Sequence, residues 1–287
     1  MRPAKFEYFC PTSIAEAATL LAKSEGSGRI LAGGQSLLPA MNLRLSKPSS
    51  LIDIRKVPEL SGIAVREGKV YLGALARHAD IVSNDELYRS IPLFRQAGRH
   101  IAHATIREHG TIGGSLALAD PASEWCTVLS LLGAKVRAVS VQGERLIGIE
   151  DFFVSYYTTA LTENEILVGV EVPIPLRATK YGFAEFSRQS GAFALAMVAV
   201  SMEVGVSGSV DRLAAWVGGC AAKPIRVPLP ERFSGPPAPE TLNEAFDGMR
   251  NEPSSDIHAS GEDRKQIAKA LLRRCMSETY LSSKGGH

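Results

Sequence analysis

Cysteine is scarce in this chain: Cys10, Cys126, Cys220 and Cys275 stand far apart in 287 residues and form no CxxC pair. That scarcity excludes a disulfide framework and leaves the chain unable to ligate an iron–sulfur cluster by itself. It fits a reduced cytoplasmic protein with incidental thiols. Charge of one sign is lacking too, since 32 basic residues face 30 acidic ones and the basic residues are scattered. A protein that tracks a phosphate backbone concentrates Lys and Arg on one face, so no nucleic-acid partner is expected. The nearest basic run, Arg264-Lys265 with Lys269, Arg273 and Arg274, reads as the solvated face of a helix. Long apolar runs are also missing. The segment MRPAKFEYFC has none of signal-peptide length, and the longest run, starting at 193–200, reads as a buried strand too short to span a bilayer. The expectation is a soluble cytosolic globular protein, 45% hydrophobic and able to bury a substantial core.

Familiar signatures are absent as well. There is no GxGxxG fingerprint and no GxxxxGKS/T loop, which weakens a Rossmann or P-loop reading. His100, His103 and His109 lack a cysteine or carboxylate at zinc spacing and read as a helix face. No internal repeat or low-complexity block is visible.

What is present alternates between strand and helix patterns. Phe6-Glu7-Tyr8-Phe9 is strand-like, and Thr12 or Ser13 can cap a helix over 14–22 with Glu16 in its first turn. Short apolar strands are expected at 29–32 and 50–54. Further on, 69–73 alternates like a strand, 79–84 and 93–103 look helical, 122–132 reads as a helix, and 135–141 and 166–172 as strands. Pro173 and Pro175 end that stretch. The last part reads as antiparallel strands at 182–186, 194–204 and 212–217, a Pro- and Gly-rich loop over 224–239, a helix over 262–276 and a disordered Ser-Ser-Lys-Gly-Gly-His tail.

Two glycine runs carry the chemistry: Ala32-Gly33-Gly34-Gln35-Ser36 and Thr111-Ile112-Gly113-Gly114-Ser115. Each lies beside a predicted strand end. Adjacent glycines let backbone N–H groups approach an anion with no Cβ in the way. Gln35, Ser36, Thr111 and Ser115 add neutral donors. Together they suit a pyrophosphate, and the residues alone reach no further than a nucleotide cofactor site. Asp120 and Glu124, four apart at a helix start, suit either a helix dipole or, for Asp120, a cofactor contact; Glu124 reads as structural. Arg188 fits a solvated strand or a cation beside a cofactor. Tyr156 and Tyr157 read as core or interface.

These segments resemble a known family. The first run, continued by Leu37-Leu38-Pro39, and the second, continued by Leu116-Ala117 and Ala119-Asp120-Pro121, are similar to the two FAD loops of the medium subunits of carbon monoxide dehydrogenase and related molybdenum hydroxylases. Leu51-Ile52-Asp53-Ile54, Tyr71-Leu72-Gly73-Ala74, Asp151-Phe152-Phe153, Tyr157-Thr158-Thr159-Ala160-Leu161, Glu165-Ile166-Leu167 and Asp256-Ile257-His258-Ala259-Ser260 match in the same order. The resemblance implies an α+β chain: two α/β subdomains of the vanillyl-alcohol-oxidase-like (PCMH) FAD-binding type, over 1–55 and 56–175, and a C-terminal α+β domain over 176–287. It implies FAD held by Ala32, Gly33, Gly34, Gln35, Ser36 and Leu37 on the diphosphate, with Thr111, Gly114 and Ser115 on its second side and the ribityl region. By the same resemblance Asp120 reaches a ribose or flavin-adjacent group, and Leu167 presses near the isoalloxazine. The chain departs from the family pattern at Leu118, Trp125 and Ala192, the last in a segment near the flavin.

The same resemblance implies a redox relay with no catalytic residue of its own toward the organic substrate and no metal. A molybdopterin-binding large subunit and a small subunit with two [2Fe–2S] clusters are the implied partners, in a dimer of heterotrimers, with an external electron acceptor. The cysteine spacing agrees with that division of labour. A stand-alone FAD-dependent oxidase of the same fold is the alternative; such enzymes carry a larger substrate domain and often tether the flavin to His or Cys.

Overall fold

Ser13 starts the first helix by accepting the Glu16 N–H at 3.2 Å, while the Thr12 N–H donates to the Glu16 carboxylate at 2.8 Å. This reciprocal capping sets α1 (Ile14–Lys23) between β1 (Glu7–Phe9) and β2 (Gly28–Leu31). Helix α2 (Leu37–Asn42), β3 (Ser50–Asp53) and two 3-10 turns, Ile54–Lys56 and Pro58–Leu60, complete the first unit. Its sheet is parallel, in the order β1-β3-β2. These and all later statements come from a computed structural model that describes residues 2–249 and 253–284.

The second unit is a five-stranded antiparallel sheet, β4-β5-β10-β6-β7, made of β4 (Ile63–Arg66), β5 (Lys69–Gly73), β6 (Lys135–Ser140), β7 (Gly143–Gly148) and β10 (Ile166–Pro173). Between β5 and β6 run α3 (His78–Ser83), α4 (Asp85–Ser90), α5 (Leu93–Gly98), α6 (Ala104–Arg107), α7 (Ile112–Leu118) and α8 (Glu124–Leu131). Helix α9 (Ile149–Phe152) and a small hairpin of β8 (Phe153–Ser155) and β9 (Thr158–Thr159) precede β10. The helix expected over 93–103 stops at Gly98 because the chain turns at Ala102, φ 39°, where Arg107 Nη1 donates to the Ile101 and Ala102 carbonyls. Sequence patterning did not anticipate β4, β7 or α4, all short and largely polar on one face.

Strand β10 joins two cores. Leu167 pairs with Ala138 and Gly169 with Arg137, so Val168 is an extra, bulged residue. A one-residue shift flips every later side chain to the opposite face. Ile166 and Val168 therefore pack with Ala17, Ala18, Leu21 and Ile52 of the first unit, whereas Leu167, Val170 and Val172 enter the core of the second. The first two units thus share a core instead of meeting across a linker.

The third unit is an antiparallel sheet of β11 (Lys180–Ser187), β12 (Ala194–Val204), β13 (Val210–Gly218) and β14 (Ile225–Arg226), with α10 (Pro239–Asp247) and α11 (Gly261–Lys284). Strand β12 is buried on both faces, which explains its nearly continuous apolar run. The loop expected over 224–239 contributes β14 and a bridge between Val210 and Phe233. Ala268, Leu271, Leu272, Cys275, Met276 and Tyr280 form the apolar stripe by which α11 packs on the sheet. That helix outruns the span expected over 262–276, and Ser282 to Lys284 of the expected tail are helical; Gly285, Gly286 and His287 lie outside the described residues. Among the described residues no helix is long and apolar enough to cross a membrane.

The basic run at the start of α11 is not uniformly solvated. Arg264 is 5% exposed, donates from Nη1 to the Leu195 and Gly219 carbonyls at 2.7 and 2.9 Å, and pairs through Nη2 with Asp256 at 2.6 Å. Lys265 and Lys269 both reach Asp247 of α10, and only Arg273 and Arg274 face solvent. Arg264 therefore clasps α11 to the ends of β12 and β13. Replacing it strands two buried carbonyls, so Arg264→Ala is expected to lower unfolding free energy by about 3 kcal/mol. Arg274→Ala should change it by less than about 0.5 kcal/mol. Urea denaturation followed by circular dichroism checks both.

Candidate functional site

The first glycine run follows β2 and turns sharply at Gly34, φ 73°, into α2. Among the described residues the N–H groups of Gly33, Gly34, Gln35, Ser36 and Leu37 have no acceptor; the next N–H, that of Leu38, goes to the Gly34 carbonyl at 3.1 Å. Gln35 Nε2 folds back on the Gly33 carbonyl at 3.1 Å, which stiffens the loop. Five successive unpaired donors on an exposed loop form an anion-binding nest. Gln35 and Ser36 are exposed, and Ala32, Gly33, Gly34 and Leu37 half-buried.

Gly33 is also where the two glycine segments touch. A Cβ there would run into the His109 carbonyl oxygen and would lie 3.0 Å from the Gly110 Cα. The second run departs from expectation. It is not a loop at a strand end but the first turn of α7, capped by Thr111, whose Oγ1 accepts the Gly114 N–H at 3.1 Å. The Ile112 and Gly113 N–H groups donate to the Ala76 and Ala74 carbonyls, both at 3.0 Å, and Gly113 lies so close to Ala74 that a Cβ would collide with it. This turn has therefore spent its amide donors inside the protein. It offers instead an exposed Gly114 with open space beyond its own cap, and the hydroxyls of Thr111 and Ser115.

Beyond α7 the chain reverses at Ala119, φ 53°, whose carbonyl accepts the N–H of Tyr157, φ 50°, at 3.3 Å. Two side-chain-bearing residues in the left-handed region face each other here, and such strain clusters at functional sites. Asp120 Oδ1 accepts the Ala122 N–H at 2.9 Å and Oδ2 the Tyr157 hydroxyl at 3.3 Å, so Asp120 is half-buried and tied to the turn. Tyr156 and Tyr157 are exposed rather than core. Ser115 Oγ meets Ser123 Oγ at 2.7 Å. Leu167 is 6% exposed and shares a core with Leu116 and Ala119 of the α7 segment. The structure thus brings the first glycine run against 109–110, directly before Thr111, and packs Leu167 with Leu116 and Ala119 of the segment that carries Thr111, Gly114, Ser115 and Asp120. Arg188, just past the end of β11, lies with its Nη1 2.8 Å from His258 Nδ1.

Three residues near this frame carried no such role in the sequence reading. His78 is buried, its Nδ1 accepts Trp125 Nε1–H at 2.9 Å, and its ring lies against Gly110. Burial, then the Arg107 charge, push its pKa down to about 4, so the ring is neutral and carries its proton on Nε2. Trp125, a departure from the family pattern, is the donor that fixes this tautomer. Glu124 is 9% exposed at the first turn of α8; burial above all, with the Glu185 and Asp120 charges, pushes it up to about 8. Its own backbone N–H, at the start of α8, is the one group that favours the charged form. Glu185 of β11 lies close by and pairs with His100 at 3.4 Å. His103 and His109 are exposed, and no group of metal-ligating side chains occurs among the described residues.

Residues 4–175 match the family described as the FAD binding domain in molybdopterin dehydrogenase, and 181–279 the CO dehydrogenase flavoprotein C-terminal domain. The nicotine 6-hydroxylase medium subunit of Paenarthrobacter nicotinovorans is 41% identical, covering 97% of this chain and 98% of its own length. The carbon monoxide dehydrogenase medium chain of Afipia carboxidovorans is 29% identical over 99% of this chain and 100% of its own length. Among solved structures, a chain of quinoline 2-oxidoreductase from Pseudomonas putida 86 superposes with a TM-score of 0.91 at 32% identity, over 98% of this chain and 99% of that one.

The buried Glu124 carboxyl makes stability depend on pH. Its pKa is about 8 folded against 4.5 for a free side chain, so the folded chain holds the proton more tightly. Its contribution is complete below about pH 4.5 and is lost as pH rises through about 8. Thermal midpoints taken from about pH 5 to about pH 9 should fall for the wild type and fall less for Glu124→Gln, which should be the more stable protein at the alkaline end.

Proposed function

This chain belongs to the FAD-binding subunits of the molybdenum hydroxylases, and from that premise we propose that FAD lies along the glycine frame with its diphosphate on residues 33–37. It is an oxidoreductase subunit; the molybdenum cofactor and the iron–sulfur clusters reside on partner subunits. The observation that carries the placement is the run of five unpaired N–H donors at Gly33, Gly34, Gln35, Ser36 and Leu37. The residues present fit the cofactor, because a diphosphate supplies the acceptors those amides lack and no side chain can intrude at Gly33.

Each remaining residue then has a task. Ala32 leads the strand into the nest, and the Thr111 and Ser115 hydroxyls, beside open Gly114, serve the second side of the diphosphate and the ribityl chain. Asp120, held by the Ala122 amide and the Tyr157 hydroxyl, presents a carboxylate to a ribose or flavin-adjacent group. Leu167 gives the ring an apolar backing. Bound FAD supplies the exchange between single-electron and paired-electron transfer. The protein's part is to neutralise the diphosphate with amides rather than with a cation, to fix the ring and to govern access to it.

Electrons arrive from the two [2Fe–2S] clusters of a small subunit, which are themselves reduced by a molybdopterin-bearing large subunit, and leave to an external acceptor. The relatives are named for nicotine, carbon monoxide and quinoline. That range of names supports a reading in which substrate choice lies on the large subunit rather than on this chain. We read the chain as two FAD-binding subdomains, 1–55 and 56–175, followed by a C-terminal domain, 176–287, working in the cytoplasm within a dimer of heterotrimers.

Co-purified with its partner subunits, the chain should be yellow and release FAD on acid treatment. Gly33→Ala should lower FAD affinity by at least about tenfold, about 1.4 kcal/mol, with an unchanged circular dichroism spectrum. A colourless complex that takes up no added FAD overturns the proposal. Flavin that stays attached after denaturation points instead to a stand-alone oxidase.

A further inference from the structure

A buried polar seam lies where α5 and α8 meet the third sheet. Glu185, Met197 and Gly218 are neighbours in register across β11, β12 and β13, so their side-chain positions share one face of the sheet. That face looks at α8, because a Cβ on Gly218 would run into Thr127 Oγ1. Glu124 precedes Thr127 by three residues and lies on the same helix face. From α5 come Gln96 and, just past the helix end, His100, whose Nδ1 is 3.4 Å from Glu185 Oε1. Gln96 Oε1, Thr127 Oγ1 and Glu185 Oε2 are buried with no hydrogen-bond partner.

Such groups cost free energy when left unpaired, so several in one place ask for a reason. The seam has two ends. At the outer end the His100 side chain is 43% exposed while that of Glu185 is only 6% exposed. At the inner end Ser123, which directly precedes Glu124 and α8, meets Ser115 of the second glycine segment at 2.7 Å. Three ionisable side chains, His100, Glu185 and Glu124, therefore stand in a row between solvent and the segment that carries Ser115.

FAD takes up protons as well as electrons when it is reduced, whereas iron–sulfur clusters deliver electrons alone. Resting on the reading that FAD lies along this frame, we propose that Glu124 is the proton donor to the bound flavin and is refilled from solvent through Glu185 and His100. The O–H bond of the Glu124 carboxyl breaks as its proton passes to the ring, which has received its electrons from the partner's clusters. The Glu124 carboxylate takes a proton from Glu185, Glu185 takes one from His100 Nδ1–H, and water reprotonates His100. One proton enters per passage, and no oxidant or reductant beyond the electron relay is needed. When the acceptor withdraws the electrons, the proton leaves by the same row or with the acceptor. Burial keeps Glu124 protonated at neutral pH, as a donor requires.

The test uses the complete complex with its partner subunits, reduced anaerobically with dithionite in a stopped-flow instrument, with cluster and flavin bands followed separately. FAD content is measured first by acid release. Glu124→Gln and Glu185→Gln should keep their FAD and reduce their clusters at the wild-type rate, while flavin bleaching slows by at least about tenfold. Glu124→Asp should recover part of that rate. In the wild type, a protonated-carboxyl infrared band should change on flavin reduction and be missing from Glu124→Gln. Wild-type bleaching rates in both glutamine variants at full FAD content overturn the relay. If Glu124→Gln loses FAD, Glu185→Gln and the wild-type infrared band decide the matter: an unaltered band overturns the relay. A wild-type complex without FAD overturns the cofactor reading itself, an outcome distinct from a flavin-loaded complex with normal glutamine variants.

Discussion

Backbone meets backbone at Gly33, against His109 and Gly110, and at Gly113, against Ala74, and the glycine frame depends on both contacts. Neither could accept even a methyl group without moving main chain, and main chain here is already committed. Gly113 and Ile112 donate to the end of β5, the His78 N–H donates to the Gly110 carbonyl, and the Ala74 N–H donates to the Val168 carbonyl. A shift at one glycine would pass through Ala74 into β10 and its bulge. The five free amides of the first loop stay in position because what lies beneath them is backbone, which has no rotamers to relax.

The two glycine runs look alike in sequence and do different work. In the first, the amides remain without an acceptor among the described residues. In the second they are consumed by α7 and by its contact with 74–76, and the run contributes shape and hydroxyls. Around this frame the polar groups are tied to one another rather than left to water: Asp120 to Tyr157 and Ala122, Ser115 to Ser123, Trp125 to His78. A site so held changes little when a ligand arrives, which favours positioning over induced fit.

How much of this was legible in the sequence follows from the range of each interaction. The Ser13 cap, the doubly buried β12 and the first glycine loop are local or periodic features, and all were readable. The resemblance supplied the family and the cofactor. Hidden were features made by residues distant in the chain. Trp125 reaches back 47 positions to His78, and Arg264 reaches 69 to Leu195. In sequence Arg264 looks like its neighbours Lys265 and Arg274; only the converging carbonyls of two strand ends distinguish it. Glu124 looked like an ordinary first-turn acid because nothing nearby announces that β11 will bring Glu185 over it. The helical nature of the second glycine run was obscured by glycine's low helix propensity, which tertiary contact with Ala74 overrides.

The bulge at Val168 has a consequence for how the chain is made. The first sheet closes its core partly with Ile166 and Val168, which follow its last strand by more than a hundred residues. At ribosomal speeds that interval lasts on the order of ten seconds. Throughout it, Ala17, Ala18, Leu21 and Ile52 have no complete partner surface, so the N-terminal segment cannot finish folding before the strand that completes it has been synthesised. Completion of the first unit's core therefore waits on β10. Until that strand leaves the ribosome, the apolar face of α1 lacks the two side chains, Ile166 and Val168, that finish its cover.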